Sequence, residues 1–216
     1  MNTLDQKLEL IVEEVVKKLQ DVTLKKDEDT ILVEASGRHV HLSQEDVEYL
    51  FGKGHQLQKK KDLSQPGQYA CEERVTLIGP RGMIQNVAVL GPARGKTQVE
   101  LSKSDTVILG AKVPVRMSGD TKGSSPIVIA TDKAVLRLEE GAIAAKRHIH
   151  ITPEDAKKFN VEDKEVVKLK VEGERALIFD EVVIRVSENY STAAHIDFDE
   201  ANACGFVNGT RGRIIK

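Results

Sequence analysis

Apolar residues recur three and four positions apart through residues 3–20: Leu4, Leu8, Ile11, Val12, Val15, Val16 and Leu19. That spacing lines one side of a helix with hydrophobic side chains and leaves Glu and Lys on the other, so it predicts an amphipathic helix. The polar stretch Lys25-Lys26-Asp27-Glu28-Asp29 that follows reads as a linker. Residues 1–24 are therefore read as a detachable segment, a helix and linker whose apolar stripe docks on a partner. After residue 30 the pattern shortens. Thr30-Ile31-Leu32-Val33-Glu34, Arg74-Val75-Thr76-Leu77-Ile78, Asn86-Val87-Ala88-Val89-Leu90, Thr106-Val107-Ile108-Leu109, Val166 to Val171 and Val182 to Val186 are brief, rich in β-branched residues and separated by Gly, Pro and Asp. Such segments predict a mainly β chain of small barrels or sandwiches rather than a doubly wound sheet. Two short helices interrupt them, Gln44 to Phe51 and Pro153 to Phe159. Each follows an N-cap hydroxyl, Ser43 or Thr152, with an aspartate three residues on.

Those two helices belong to a duplication. Gly37-Arg38-His39-Val40-His41-Leu42-Ser43-Gln44-Glu45-Asp46 returns 109 residues later as Lys146-Arg147-His148-Ile149-His150-Ile151-Thr152-Pro153-Glu154-Asp155. A fainter alignment at an offset of 95 sets Val87-Ala88-Val89 against Val182-Val183-Ile184, Thr97 against Thr192, Asp105 against Glu200 and Gly110 against Gly205. It also puts Glu100 opposite His195. Self-similarity of this kind signals two copies of one structural unit.

The repeat changes what the histidines mean. Side chains two apart on a strand share a face, so His39 and His41 point one way while Val40 and Leu42 point the other. His148 and His150 do the same in the second copy. A single His-x-His is more often surface or capping chemistry. Two copies, with Glu100 and His195 as aligned third members, form sets of the kind that hold catalytic zinc with one position open; cobalt or another divalent ion is a substitute. His55 is left over, in a loop. Arg81 in Gly79-Pro80-Arg81-Gly82 and Arg94 in Gly91-Pro92-Ala93-Arg94-Gly95-Lys96 lie on turns that suit a phosphate, or are ordinary solvated hairpin residues. No Walker A spacing, no Gly-x-Ser-x-Gly elbow and no cysteine signature is present. Metal-assisted chemistry on an anionic, phosphorylated substrate is the reading these residues favour.

Composition narrows the rest. The chain has 216 residues, 40% hydrophobic and 31% charged, enough for one large domain or two small ones with real cores. A net charge of -2, a pI near 6.3 and 4% aromatics argue against nucleic acid as a partner. No apolar run is long enough to span a bilayer. Two cysteines, Cys71 and Cys204, make no disulfide framework and fit a reducing compartment.

Ser36-Gly37-Arg38-His39-Val40-His41-Leu42-Ser43, Gly91-Pro92-Ala93-Arg94 before Glu100, Lys146-Arg147-His148-Ile149-His150-Ile151-Thr152 and Ser191-Thr192-Ala193-Ala194-His195 resemble the PduL-type phosphate propanoyltransferases, the phosphotransacylases of bacterial microcompartments. The resemblance runs from about Ile31 to the C-terminus. It implies two joined β-barrels capped by short helices, residues 38–145 forming a central barrel and residues 28–37 plus 146–216 the second. It implies the reaction of acyl-CoA, propanoyl-CoA above all, with phosphate to give acyl phosphate and CoA, with two zinc ions in the site. His39, His41 and Glu100 would hold one and His148, His150 and His195 the other. Arg94 would bind phosphate and serve catalysis, while coenzyme A would lie along Ala35, Ser36 and Gly37, with Arg81 and Asn202 as further contacts. The N-terminal helix is similar to the peptides that direct such enzymes into a microcompartment lumen, where shell or core proteins would be its partners. Zinc-dependent thioester hydrolysis and a non-catalytic zinc-binding microcompartment protein stand as alternatives. The sequence leaves the oligomeric state open, a homo-oligomer included.

Overall fold

The computed structural model describes residues 12–16 and 29–216. Residues 12–16 form a helix, α1, on which Val12, Val15 and Val16 are exposed. The rest of the helix expected over residues 3–20, and residues 25–28 of the polar stretch, lie outside the described residues.

Everything from residue 29 onward builds two closed six-stranded barrels. In the terminal barrel the strands follow one another as β11 (Val166–Val171), β12 (Leu177–Val186), β10 (His148–Ile151), β13 (Ala193–Asp197), β1 (Ile31–Ser36) and β14 (Arg211–Ile215), which returns to β11. The central barrel runs β4 (Tyr69–Ile78), β5 (Met83–Gly91), β2 (His39–His41), β6 (Gln98–Glu100), β9 (Val135–Ala145) and β8 (Ser125–Ala130), which closes on β4. Two further strands, β3 (Lys59–Asp62) and β7 (Val115–Arg116), extend it on β4 and β9. Taken in this order, the parallel and antiparallel senses agree at every junction of the two rings. A mainly β chain of two duplicated barrels with short helical caps is thus what the sequence predicts and what the molecule is.

The rings exchange strands. β1 lies in the terminal barrel, yet the chain passes through Gly37 and Arg38 directly into β2 of the central one. β9 lies in the central barrel and passes through Lys146 and Arg147 into β10 of the terminal one. Each His-x-His strand therefore begins immediately after a crossing. Alternation along the strands fills two separate cores. One holds Val40, Leu42, Leu77, Val89 and Ile129, the other Val33, Ile149, Ile151, Leu169 and Ile184. Burying such side chains is worth about 1.5–3 kcal/mol each, which is why the pattern fixes which way every strand faces.

Four helices cap the described barrels: α2 (Gln44–Phe51), α3 (Lys103–Leu109), α4 (Pro153–Lys158) and α5 (Phe198–Cys204). α2 and α4 start where Ser43 and Thr152 accept from the backbone N–H groups of Asp46 and Asp155, as the sequence predicts. α3 corrects the expectation of a strand at Thr106 to Leu109. Ser102 and Asp105 form a reciprocal capping box that starts a helix despite the β-branched residues, and Gly110 ends it at φ 69°, the left-handed turn that only glycine enters freely. α5 repeats that arrangement, with Asp197 and Glu200 as the box and Gly205 at φ 65°.

Candidate metal centre and cleft

β2 and β10 present both of their histidines to the space between the barrels while Val40 and Ile149, each wholly buried, anchor the strands in the two cores. The third member of each set arrives by strand pairing. His39 sits directly opposite Glu100 on antiparallel β6, and His148 directly opposite His195 on antiparallel β13. The faint offset of 95 is therefore a true structural equivalence. The same equivalence recurs around it. The Thr97 hydroxyl donates to Asp46 and accepts from the Ser43 N–H; the Thr192 hydroxyl donates to Asp155 and accepts from the Thr152 N–H.

Within each trio, His39–His41–Glu100 and His148–His150–His195, the available ligand atoms lie within 4.8 Å of one another. Backbone carbonyls orient the rings. Nδ1 of His39 donates to Gly37 O at 2.8 Å, and Nδ1 of His148 donates to Lys146 O at 2.9 Å. Because a carbonyl only accepts, these bonds fix the tautomer and leave Nε2 with its lone pair free. His41 makes the longer bond, from Nδ1 to Leu90 O at 3.3 Å. One oxygen of Glu100 accepts from the Gln98 amide at 2.6 Å and the Ser118 hydroxyl at 2.7 Å, while the other stands 3.6 Å from Nε2 of His39. Such outer partners are what aim a metal ligand. Behind His195, the Glu34 carboxylate lies 3.6 Å from Nδ1, and the buried Gln65 side chain reaches across from the central barrel to Ser191.

Electrostatics favour uncharged rings. Burial, then the neighbouring His39 and Arg94, push His41 down to about 3. Burial with His148 and His195 pushes His150 down to about 2, and burial with His148 takes His195 to about 3. Burial lowers His148 as well. Glu100 goes the other way: burial raises it, but His39, the Ser118 hydroxyl, His41 and His148 together hold it lower than usual, hence ionised. Neutral imidazoles and an ionised carboxylate are the ligand forms that a divalent ion requires. The residues also leave a gap for one. Nδ1 of His150 and Nε2 of His195 face each other at 3.1 Å, a close pair of ring nitrogens that an ion could draw on, and Nε2 of His150 is buried with no hydrogen-bond partner among the described residues.

Both trios open on one cleft of about 460 Å³ between the barrels. Ala35, Ser36 and Gly37 form part of its wall, and Arg94 enters it from the loop after β5. The Arg94 backbone is tied to the end of β2, its N–H donating to Leu42 O at 2.8 Å. Arg81 and Asn202 do not line the cleft. Arg81 sits in the β4–β5 hairpin turn with its side chain against Gly110, and Asn202 is exposed on α5. His55, the remaining histidine, pairs with Glu73 at 2.6 Å and stacks on Phe51, away from the cleft. Sequence reasoning missed Glu34, Gln65, Ser118, Arg185 and Tyr190, all of which line the cleft. The repeat gives no sign of Arg185 or Glu34, because it aligns the first with Leu90 and the second with Ile143, both apolar. The others come from loops without a repeated signal.

The chain matches the phosphate propanoyltransferase family over residues 32–207. A phosphate propanoyltransferase of Clostridioides difficile is 57% identical over 209 residues, covering 97% of this chain and 99% of its own. The corresponding protein of Enterococcus faecalis is 55% identical over 216 residues and 100% of both chains. That of Thermotoga maritima is 51% identical over 209 residues, 96% of this chain and 100% of its own.

Proposed function

This chain belongs to the phosphate propanoyltransferase family and is an acyltransferase of the phosphotransacylase kind, and we propose that it works through two zinc ions, with Arg94 as the phosphate-binding residue. The observation that carries the proposal is the pair of equivalent three-ligand sets facing one cleft that also receives a guanidinium. His39, His41 and Glu100 would hold one ion and His148, His150 and His195 the other. When bound, the ions would supply Lewis acidity toward the departing thiolate and the oxyanion that develops at the carbonyl.

The residues do the rest. Arg94 holds monohydrogen phosphate with one oxygen turned to the thioester carbonyl, converting an encounter in solution into an oriented attack. That oxygen bonds to the carbonyl carbon, the carbon–sulfur bond breaks with its electron pair going to sulfur, and the proton of the phosphate ends on coenzyme A. No covalent acyl-enzyme is needed, in keeping with two buried cysteines, Cys71 and Cys204, whose thiols burial holds above their ordinary pKa. The wall at Ala35, Ser36 and Gly37 suits the thiol arm of coenzyme A, and Arg81 and Asn202 would be reached only by its far end.

Thiol release from propanoyl-CoA, followed with and without phosphate, tests the reading. Release should require phosphate and should fall when zinc is removed by a chelator. Release without phosphate would mark a zinc hydrolase, and no release at all a metal-binding protein without catalysis. The proposal extends to location: residues 1–24 would direct the enzyme into a microcompartment lumen, a role supported by the exposed valines of α1.

A further inference from the structure

Arg94 is accompanied by a second arginine that the duplication does not explain. At the offset of 95 that matches β5 to β12 and Glu100 to His195, Arg94 corresponds to Asn189 and Arg185 corresponds to Leu90. Arg38 also lines the shared cleft but is bound by Asp105 at 2.8 Å; of the other two lining arginines each barrel brings one, and from non-equivalent places. Arg185 lies directly opposite His150 in the pairing of β12 with β10. It is held by stacking rather than by a carboxylate. Its guanidinium carbon is 5.8 Å from the Tyr190 ring centroid, and Tyr190 stacks in turn on His150 at 4.0 Å. Among the described residues neither arginine has a side-chain hydrogen bond or an ion pair within 4.0 Å. Burial lowers Arg94 most; among charges, Glu100 raises it and Arg185 lowers it, so the two guanidiniums are close enough to feel each other. Two half-buried guanidiniums that line one cleft with no carboxylate in hydrogen-bonding contact leave forked donors for a multiply charged anion to satisfy.

We propose that Arg185 is a second phosphate-binding residue, gripping the phosphoryl group of phosphate and of the acyl phosphate product from the side opposite Arg94. The inference deepens the phosphotransacylase reading and rests on it. A phosphate has four oxygens, so two guanidiniums can each take oxygens and still leave one to attack. A clamp from both walls also fixes rotation, which one arginine alone leaves free.

Arg185→Gln and Arg185→Lys test this, with phosphate and propanoyl-CoA varied separately. A charge-assisted hydrogen bond is worth enough for Arg185→Gln to raise the KM for phosphate about 10-fold to 100-fold. The KM for propanoyl-CoA and the zinc bound per chain should stay as in the parent. Arg185→Lys should lie between the two, because it keeps the charge and loses the fork. Added guanidinium should restore part of the activity of Arg185→Ala. An unchanged phosphate KM in Arg185→Gln would overturn the inference. So would loss of zinc without a phosphate effect, which would make Arg185 a prop for His150. Failure of the underlying reading has a different signature, a parent enzyme that consumes propanoyl-CoA without regard to phosphate.

Discussion

Burying neutral imidazoles has a consequence for each residue involved and for the stability of the chain. His41, His150 and His195 take up protons near 6.5 when unfolded, but only near 3, 2 and 3 when folded. Between those limits the unfolded chain binds more protons, so stability rises with pH across the window and is lost as pH falls from 6.5 toward 3. Metal-free protein should accordingly show a lower urea midpoint at pH 5 than at pH 7, with an unchanged slope; equal midpoints would mean that the rings are not buried neutral. At this scale the sequence was informative where chemistry repeats. The two His-x-His pairs stood out because strand geometry puts alternate residues on one face, and Glu100 and His195 followed from the same repeat. Arg185 did not stand out. One arginine near the end of Val182 to Val186 looks like any solvent-facing strand position, and only closure of the barrel turns it inward.

Elements tell a similar story about local and distant signals. α2 and α4 were readable because Ser43 and Thr152 announce them. α3 was not, because Thr106, Val107 and Ile108 have the β-branched character of a strand and the deciding signal lies before them, at Ser102 and Asp105. Ser102→Ala removes that signal and should cost about 0.5–2 kcal/mol in chemical denaturation. Because Arg38 binds Asp105 at 2.8 Å, the helix start also bears on the strand that carries His39, so zinc affinity should weaken in the same variant. Full zinc affinity together with lost stability would show that the cap and the metal centre are independent.

At the scale of the whole molecule, the barrels were implied by resemblance, whereas strand order could not be derived from the residues themselves. β1 pairs with β13 and β14 from the other end of the chain, and no local pattern records so distant a partner. The N-terminal segment poses the opposite question, since all of its predicted features are local. Deleting residues 1–24 should leave kcat and phosphate dependence intact and abolish co-purification with microcompartment shells. An insoluble or inactive truncation would instead place the helix in the folding core.

The strand exchange also restricts how the enzyme moves. Two barrels joined by one linker can swing freely, but these are joined at two places, Gly37-Arg38 and Lys146-Arg147, each only two residues long. Arg38 and Arg147 fasten the crossings further, to Asp105 and to Glu200 at 2.6 Å. A body pinned at two points retains a single axis of rotation, and here that axis passes beside both histidine pairs. Points on an axis do not separate when the bodies turn about it. The ligand sets lie close to that axis, so their spacing is what such a turn would change least, and admitting a bulky thioester would fall to the rim, where the loop of Ser64 and Gln65 has side-chain bonds to Glu34 and Ser191 to release.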